Sequence, residues 1–334
     1  MIRRLGFLTI PGHDPYENLA LEQRLLETVE EDGLILFLWQ NARTVVIGRN
    51  QCAWKECRIE ALEQSGGRLA RRQSGGGAVF HDLGNLNFTF LSHAKNMDSS
   101  RQNRVILRAC QDFGIQGQAS GRNDLTALGR KFSGSAFYTH RGRSLHHGTL
   151  LLDVDLEDML RYLSPDRQKL RSKGVDSVRA RVINLKELCP TLGVSEMESA
   201  LLEAFEQEYG LQARQVDLSG VLDARWETLA ARNRSWEWNY GQRVPATWSS
   251  ARRFDWGGVD LELVVTNGCV SQVRVWTDSL DTQLPQALET ALTGRRFQKS
   301  ELWAAIQILP WPETVRTDLS SFVIEMENEN HGRL

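Results

Sequence analysis

The chain is short of several things, and each shortage argues against a class of protein. It holds five cysteines, at positions 52, 57, 110, 189 and 269, an odd count without a CxxC pair. That argues against a disulfide-stapled secreted scaffold and against a Cys/His zinc site, and it predicts reduced thiols in a cytoplasmic setting. No apolar run approaches the roughly 18 residues of a membrane helix. Arg3 and Arg4 precede an apolar run, 5–10, that stops at Pro11 and is too short for a secretory signal; acidic residues resume at Asp14. Neither sign of charge dominates: 40 Lys+Arg stand against 42 Asp+Glu, a net charge of -2. There is no global electrostatic case for nucleic acid or for an anionic membrane, so any basic surface must be local. No repeat or low-complexity tract stands out.

What is present is an ordinary globular composition, 41% hydrophobic and 25% charged over 334 residues, enough for a large core and more than one domain. Asp14-Pro15-Tyr16-Glu17 predicts a helix start, with Asp14 as cap and Pro15 in the first turn, and Leu21, Leu25 and Val29 supply one apolar face. Residues 34–39, 44–47, 68–72 and 78–81 predict strands, and 54–64 a short helix. Alternation in 86–91 predicts a half-buried strand with Asn87 and Thr89 on its outer side. Residues 98–113 predict a helix, and 131–139 with 145–154 a hairpin around Arg141-Gly142-Arg143. Helices are expected at 156–162 and 201–209, the latter with a Ser195/Glu198 capping box. Tryptophans crowd 226–256, residues 245–250 read as a linker, and 259–266, Asn267-Gly268 and 269–276 give the clearest hairpin signal. The expected domains are 1–245 and 251–334.

The chemistry-bearing stretches come before residue 190. RRQSGGGAVFHD, 71–82, places arginines beside three glycines and follows them with apolar residues. Glycines let backbone approach a ligand, and cations beside backbone N–H groups suit an anion. The loop lacks the Lys-Ser/Thr of a Walker motif and the spacing of a dinucleotide fingerprint. SGRND (120–124), KFSGSA (131–136) and HHGT (146–149), followed by SVRARVINL (177–185), add isolated cations, small polar residues and more glycine. Singly, each has a plain structural reading: solvated strand-edge arginines, a flexible turn, a surface lysine, a structural strand histidine. His146 and His147 point to opposite faces of a strand, so at most one meets a site. Jointly, the four stretches fit phosphates and a carboxylate better than covalent hydrolysis.

Those stretches, with LFLWQNARTVVIGRNQ, WKEC, HHGTLLLDVDL and KGVDSVRARVINL, closely resemble the lipoate–protein ligases, and SWEWNYGQ, RFDWGGVDLEL and TDSL resemble the accessory domain of the long bacterial members. The resemblance implies an α+β fold: a mixed-sheet catalytic domain of the biotin/lipoate ligase type and a small α+β C-terminal domain. It implies activation of (R)-lipoate by ATP and Mg²⁺ to lipoyl-AMP, then transfer to a lysine of lipoyl carrier domains. The expected carriers are the acyltransferase subunits of 2-oxoacid dehydrogenase complexes and the glycine-cleavage carrier protein. No nucleic-acid or membrane partner is expected, and the expected state is a monomer.

By the same resemblance, Lys131 clamps the carboxylate and α-phosphate, and Arg72 holds carboxyl or phosphate oxygens. Ser74, Gly75, Gly76, Gly77, Ala78, Val79 and Phe80 form the lipoate loop and backbone approach to ATP. His81, Asn123, His147, Gly148, Thr149 and Arg181 are further contacts, the segment 173–185 is the adenylate-binding loop, and Asp124 either orients Lys131 or binds Mg²⁺. Two departures are visible: Gln73 stands where a small residue is common, and the connection from Asp124 to Lys131 is short. Three rivals stay open. An ATP-independent octanoyl or lipoyl transferase would use a cysteine near the HHGTL-like segment, but 145–150 has none. A biotin ligase would carry a GRGR-type loop in place of RRQSGGG. A non-catalytic protein that binds lipoate or carrier would need no ATP pocket.

Overall fold

In the computed structural model, which describes residues 2–121, 123–164, 181–241 and 244–330, Asp14 opens the first helix as its sequence predicts. Its carboxylate accepts from the Tyr16 and Glu17 backbone N–H groups at 2.9 and 3.2 Å. The chain falls into two units. The first comprises Met1–Ile47, Ala53–Ser74 and Ala78–Asn239; the second comprises Gly48–Cys52, Gly75–Gly77 and Tyr240–Leu334.

The first unit runs β1 (Arg4–Thr9), α1 (Pro15–Thr28), β2 (Gly33–Trp39), β3 (Thr44–Ile47), α2 (Ala53–Glu56), α3 (Ile59–Gln64), β4 (Arg68–Arg71), β5 (Val79–His81) and β6 (Asn85–His93). It continues with α4 (Ser99–Asp112), β7 (Gly117–Ser120), β8 (Asp124–Ala127), β9 (Arg130–His140), β10 (Arg143–Leu151), α5 (Leu156–Tyr162), α6 (Val194–Tyr209), β11 (Ala213–Gln215), α7 (Ala224–Arg234) and α8 (Trp236–Asn239). Eight strands form one mixed sheet in the order β11-β1-β2-β6-β10-β9-β8-β7, and β4-β3-β5 form a second, small sheet. One side of the large sheet packs Phe88, Phe90, Phe132 and Leu150 against α4 and α6. The other side packs Phe37, Trp39, Leu91 and Leu145 against Leu21, Leu25 and Leu26 of α1.

Three local expectations are corrected. The helix expected at 54–64 is two short ones, because the chain breaks at Cys57 and Arg58. Ser195 does not cap α6: the cap position is Gly193, with no side-chain bond, and Ser195 already lies in the first turn. Residues 245–250 are not all linker, since a strand begins at Trp248. The Arg141-Gly142 turn and the Asn267-Gly268 turn are as expected, with both residues of each at positive φ (48° and 76°; 51° and 73°), the requirement of a tight two-residue hairpin.

The second unit holds a three-stranded meander, β12 (Trp248–Phe254), β13 (Gly257–Thr266) and β14 (Cys269–Thr277). Helices α9 (Leu284–Leu292), α10 (Lys299–Gln307) and α11 (Glu313–Asn330) complete it. Val259, Leu261, Leu263, Leu288, Leu302 and Phe322 make its core. Among the described residues, no helix is long and apolar enough to cross a membrane.

Candidate functional site

Register across the large sheet brings the predicted residues His147, Thr149, Asp124 and Lys131 onto one face. His147 of β10 lies opposite Thr89 of β6 and Ala136 of β9; Thr149 lies opposite Asn87 and Gly134. Phe37 and Trp39 of β2 continue these two rows beside Thr89 and Asn87, and Gly134 pairs with Asp124. Directly opposed residues share a face, so aromatic, polar and glycine positions form one floor. The half-buried strand expected at 86–91 is therefore corrected: Asn87 and Thr89 are 2% and 0% exposed. They are polar because they face this interior, not because they face water.

Lys131 reaches the same floor through a bulge. Leu125 pairs with Ser133 and Thr126 with Lys131, so Phe132 is the extra residue of β9. A bulge re-aims the side chain beside it. Phe132 goes into the α4–α6 core, while the Lys131 ammonium lies over Gly134 and pairs with Asp124 at 2.8 Å. A methyl group at 134 would stand 2.5 Å from Lys131 Nζ, which is why a glycine suits this position. Backbone bonds from Lys131 N to Arg181 O (2.7 Å) and from Ile183 N to Lys131 O (2.9 Å) tie the end of the 173–185 segment to this strand. Residues 173–180 of that segment, and Arg122, lie outside the described residues. The short connection from Asp124 to Lys131 is a two-residue turn with Leu128 and Gly129 at φ 50° and 74°.

The two arginines of the loop divide their work. Arg71 is structural: its guanidinium donates to the Trp238 and Asn239 carbonyls at 2.9 and 2.7 Å. Arg72 is buried beside the floor, donating from Nη1 to Val46 O at 3.2 Å and from Nε to Ser74 Oγ at 2.9 Å. Burial pushes its pKa down to about 10, with Glu22 opposing, so it stays charged at neutral pH. From Ser74 a buried chain continues. Ser74 Oγ lies 2.6 Å from His147 Nε2, and His147 Nδ1 lies 2.7 Å from Glu22 Oε1. Thr89 Oγ1 donates to the same Glu22 oxygen at 2.7 Å and accepts from the Trp39 indole at 3.1 Å.

His81 ends β5 as a buried neutral ring. Burial first, then Arg72 and His147, push its pKa down to about 3. Its Nδ1 is 3.1 Å from the Asn41 amide nitrogen, which can only donate, so Nδ1 accepts and the hydrogen sits on Nε2. That buried Nε2 has no partner among the described residues. His146, as the strand alternation requires, points the other way, stacked on Phe137 at 4.6 Å and bonded to Gln102 at 2.8 Å. Asn123 clips β9: its backbone O and its amide each bond Ser135 at 2.8 Å. Phe80 is buried against Tyr162, with Ala78 and Val79 half-buried beside it. Gly148 has no room for a side chain, which would meet Gly134 O and the Phe88 ring at 2.6 Å. Gln73 reaches Gln23 at 3.0 Å. Gly75–Gly77 are grouped with the second unit, where Gly76 N donates to Ser279 O at 3.2 Å.

Sequence reading missed Glu22, Trp39, Asn41, Asn87 and Thr89. One signal was available: Glu22 interrupts the apolar face of α1 between Leu21 and Leu25, and an acid placed there is buried and must be paired. Among the described residues, no group of three His, Cys, Asp or Glu side chains could hold a metal ion.

A family described as lipoyl protein ligase A/B catalytic domain matches residues 14–206, and one described as bacterial lipoate protein ligase C-terminus matches 245–321. Three solved structures are similar along most of their own length. A P. falciparum LipL1 structure in complex with lipoate is 28% identical, with a TM-score of 0.84 over 96% of this chain and 99% of that one. A bipartite lipoate protein ligase from Thermoplasma acidophilum, described with its E2 lipoyl domain, is 28% identical, with a TM-score of 0.63 over 74% and 99%. A lipoate-protein ligase A bound with ATP is 26% identical, with a TM-score of 0.61 over 73% and 100%.

Proposed function

Because this chain belongs to the lipoyl protein ligase A/B catalytic-domain family, we propose that it activates lipoate with ATP to lipoyl-AMP and passes the acyl group to a lysine of a lipoyl carrier domain. The observation that carries this reading is the floor on which Lys131, re-aimed by the bulge at Phe132, shares a face with His147, Phe37 and Trp39, while buried Arg72 reaches His147 through Ser74. Cations at one place and an apolar wall at another suit a molecule with an anionic head and a hydrocarbon body.

The chemistry follows from charge. A carboxylate is a poor electrophile, and bringing it to a triphosphate sets anion against anion. Lys131 and Arg72 offset that repulsion as fixed cations. A cation about 4 Å from an anionic oxygen is worth roughly 4 kcal/mol at an effective dielectric of 20, before desolvation. Asp124 orients the Lys131 ammonium over Gly134. Of this face, the Asp124 carboxylate would be the residue to meet a Mg²⁺ ion, which would supply further positive charge against the triphosphate. His81 Nε2–H is a buried donor for ligand oxygen. Ala78 and Val79 offer backbone to the nucleotide, with Thr149 on the floor, Gly148 on the opposite face against Phe88, and Arg181 at the end of the adenylate loop. The expected carriers are the acyltransferase subunits of 2-oxoacid dehydrogenases and the glycine-cleavage carrier protein, modified in the cytoplasm by a monomeric ligase.

Mass spectrometry of a carrier domain after incubation with lipoate, ATP and Mg²⁺ tests the reading: one lipoyl increment on one lysine, absent without ATP. Lys131→Ala lowers adenylation by roughly 100–1000-fold, as loss of one preorganised charge-stabilising donor does. Near-normal lipoyl-AMP formation by that variant would remove Lys131 from the mechanism. Carrier binding without any pyrophosphate release by the wild-type protein would favour a non-catalytic role.

A further inference from the structure

Behind His81 stands a polar line that the chemistry set out above does not use. Asn18 of α1, Asn41 between β2 and β3, and His81 at the end of β5 are 2%, 0% and 3% exposed. Buried amides must be paired, and the pairing fixes which way round each one sits. The anchor is backbone. The Asn18 side-chain nitrogen donates toward Gly12 O at 3.2 Å and Gln40 O at 2.9 Å. Carbonyls only accept, so an amide oxygen in its place would face two oxygens. The same nitrogen lies 3.0 Å from Asn41 Oδ1. Turning the Asn41 amide over would set nitrogen against nitrogen and lose that bond. Asn41 therefore presents its nitrogen to His81 Nδ1, 3.1 Å away, and the ring is left with its hydrogen on Nε2. Two backbone carbonyls thus decide, through two amides, the tautomer of a histidine in the small sheet. The ring also stays neutral, because burial, Arg72 and His147 all oppose a positive charge on it. It borders the floor, edge-on to the Trp39 indole at 6.2 Å between centroids. Its Nε2 has no partner among the described residues. A buried N–H left unpaired is costly, so this one is placed for an acceptor that arrives with a ligand.

We infer that Asn18 and Asn41 are positioning residues: they lock His81 as a neutral Nε2–H donor, and so require a hydrogen-bond acceptor of the bound acid or nucleotide at that point. Both act through the imidazole ring rather than on the ligand. The inference rests on the reading of this face as a ligand site, but the tautomer does not, and it is measured on the free protein. A locked donor differs from an ordinary histidine in two ways. It does not serve as a base, because its one ring lone pair is already used by the Asn41 amide. It also discriminates between ligands. An acceptor satisfies Nε2–H, whereas a methylene or an N–H in the same place leaves it unpaired, and a site built to make a hydrogen bond rejects such analogues strongly.

The test uses the full chain with nitrogen-labelled histidine and long-range proton–nitrogen correlation spectra, which show separately whether Nδ1 and Nε2 carry hydrogen. His81→Gln identifies the His81 signals among the seven histidines. The expected result is a protonated Nε2 and an unprotonated Nδ1, unchanged from about pH 8 to pH 5, since the folded pKa is about 3. Lipoate alone or AMP alone moves the Nε2–H signal downfield: a response to lipoate puts the acceptor on the acid, and a response to AMP puts it on the nucleotide. Asn41→Asp keeps the shape of the side chain but only accepts, so it moves the hydrogen to Nδ1. It raises KM for the matching substrate, lipoate or ATP, by about 10-fold, the worth of one hydrogen bond, with kcat changed less. A merely structural asparagine would leave the nitrogen pattern as it is. Wild-type protein with the hydrogen on Nδ1, a ring that titrates near the ordinary 6.5, or no response to either ligand overturns the inference. The wild-type spectra decide even where Asn41→Asp does not fold. ATP-driven lipoylation of a carrier is scored separately, so failure of ligation and failure of the lock are distinguishable.

Discussion

Gly134→Ala separates the fold from the chemistry more cleanly than removal of a charged residue. A Cβ at position 134 would lie 2.5 Å from Lys131 Nζ and 2.7 Å from its Cε, against 3.4–4 Å for ordinary contact. The end of the lysine must therefore retreat by about 1 Å, and its Asp124 partner, whose Oδ1 would lie 3.8 Å from the new methyl, limits where it can go. The three atoms nearest the new methyl all belong to side chains, and Gly134 does not have a positive φ. Alanine in a strand interior is more favourable than glycine by roughly 0.5–1 kcal/mol. The expected outcome is an unchanged or slightly raised denaturation midpoint, with lipoate-dependent pyrophosphate release lowered about 100-fold, the cost of an ångström-scale misplacement of a reacting group. Gly148→Ala is the contrasting case. Its methyl would meet the Gly134 carbonyl and the Phe88 ring at 2.6 Å, so overpacking costs about 1–3 kcal/mol of stability. A Gly134→Ala protein with wild-type adenylation would show that Lys131 does not work from its position over residue 134.

Stability depends on pH through two buried histidines. His81 and His146 have folded pKa values of about 3, below the ordinary 6.5, so the unfolded chain binds protons that the native protein refuses. Their contribution is complete above about pH 6.5 and is lost as pH falls toward 3; at pH 5 each has cost about 2 kcal/mol, from 1.36 kcal/mol per unit over the interval from 6.5. Urea midpoints at pH 7 and 5 measure this, and His146→Leu should flatten the profile by about that amount; an unchanged profile would contradict it. Asp14→Ala should cost about 1 kcal/mol through loss of the cap on α1. Ser195→Ala should stay within about 0.5 kcal/mol, because that serine caps nothing. Equal losses in the two variants would mean the capping assignments are wrong.

Most elements of the chain could be read from local signals, because those signals are local physics. Asp14 and Pro15 start a helix wherever they stand, the Asn267-Gly268 pair turns a hairpin by its own dihedral preference, and strand 44–47 is bounded as its apolar run predicts. The errors came where two patterns compete. Ser195 with Glu198 looks like a cap until tertiary packing starts the helix at Val194, and the alternating residues of β12 look like linker until β13 pairs with them.

The sequence by itself determined which residue types the candidate site would hold: the glycine triplet, Arg72, Lys131, the HHGT run, and a boundary between charged and apolar positions. It could not determine which of them meet. Alternation placed His146 and His147 on opposite faces, but only the packing of α1 showed that His147 is the inward one, because Glu22 waits there 2.7 Å away. Periodicity read Asn87 and Thr89 as solvent-facing, since a polar residue in an alternating strand ordinarily is; the helix layer that covers them is specified elsewhere in the chain. Counting by twos would send Lys131 to the face opposite Gly134, and a single extra residue, Phe132, reverses it. A bulge is decided by the partner strand and the core that accepts the phenyl ring, and such long-range terms leave no local mark in the sequence.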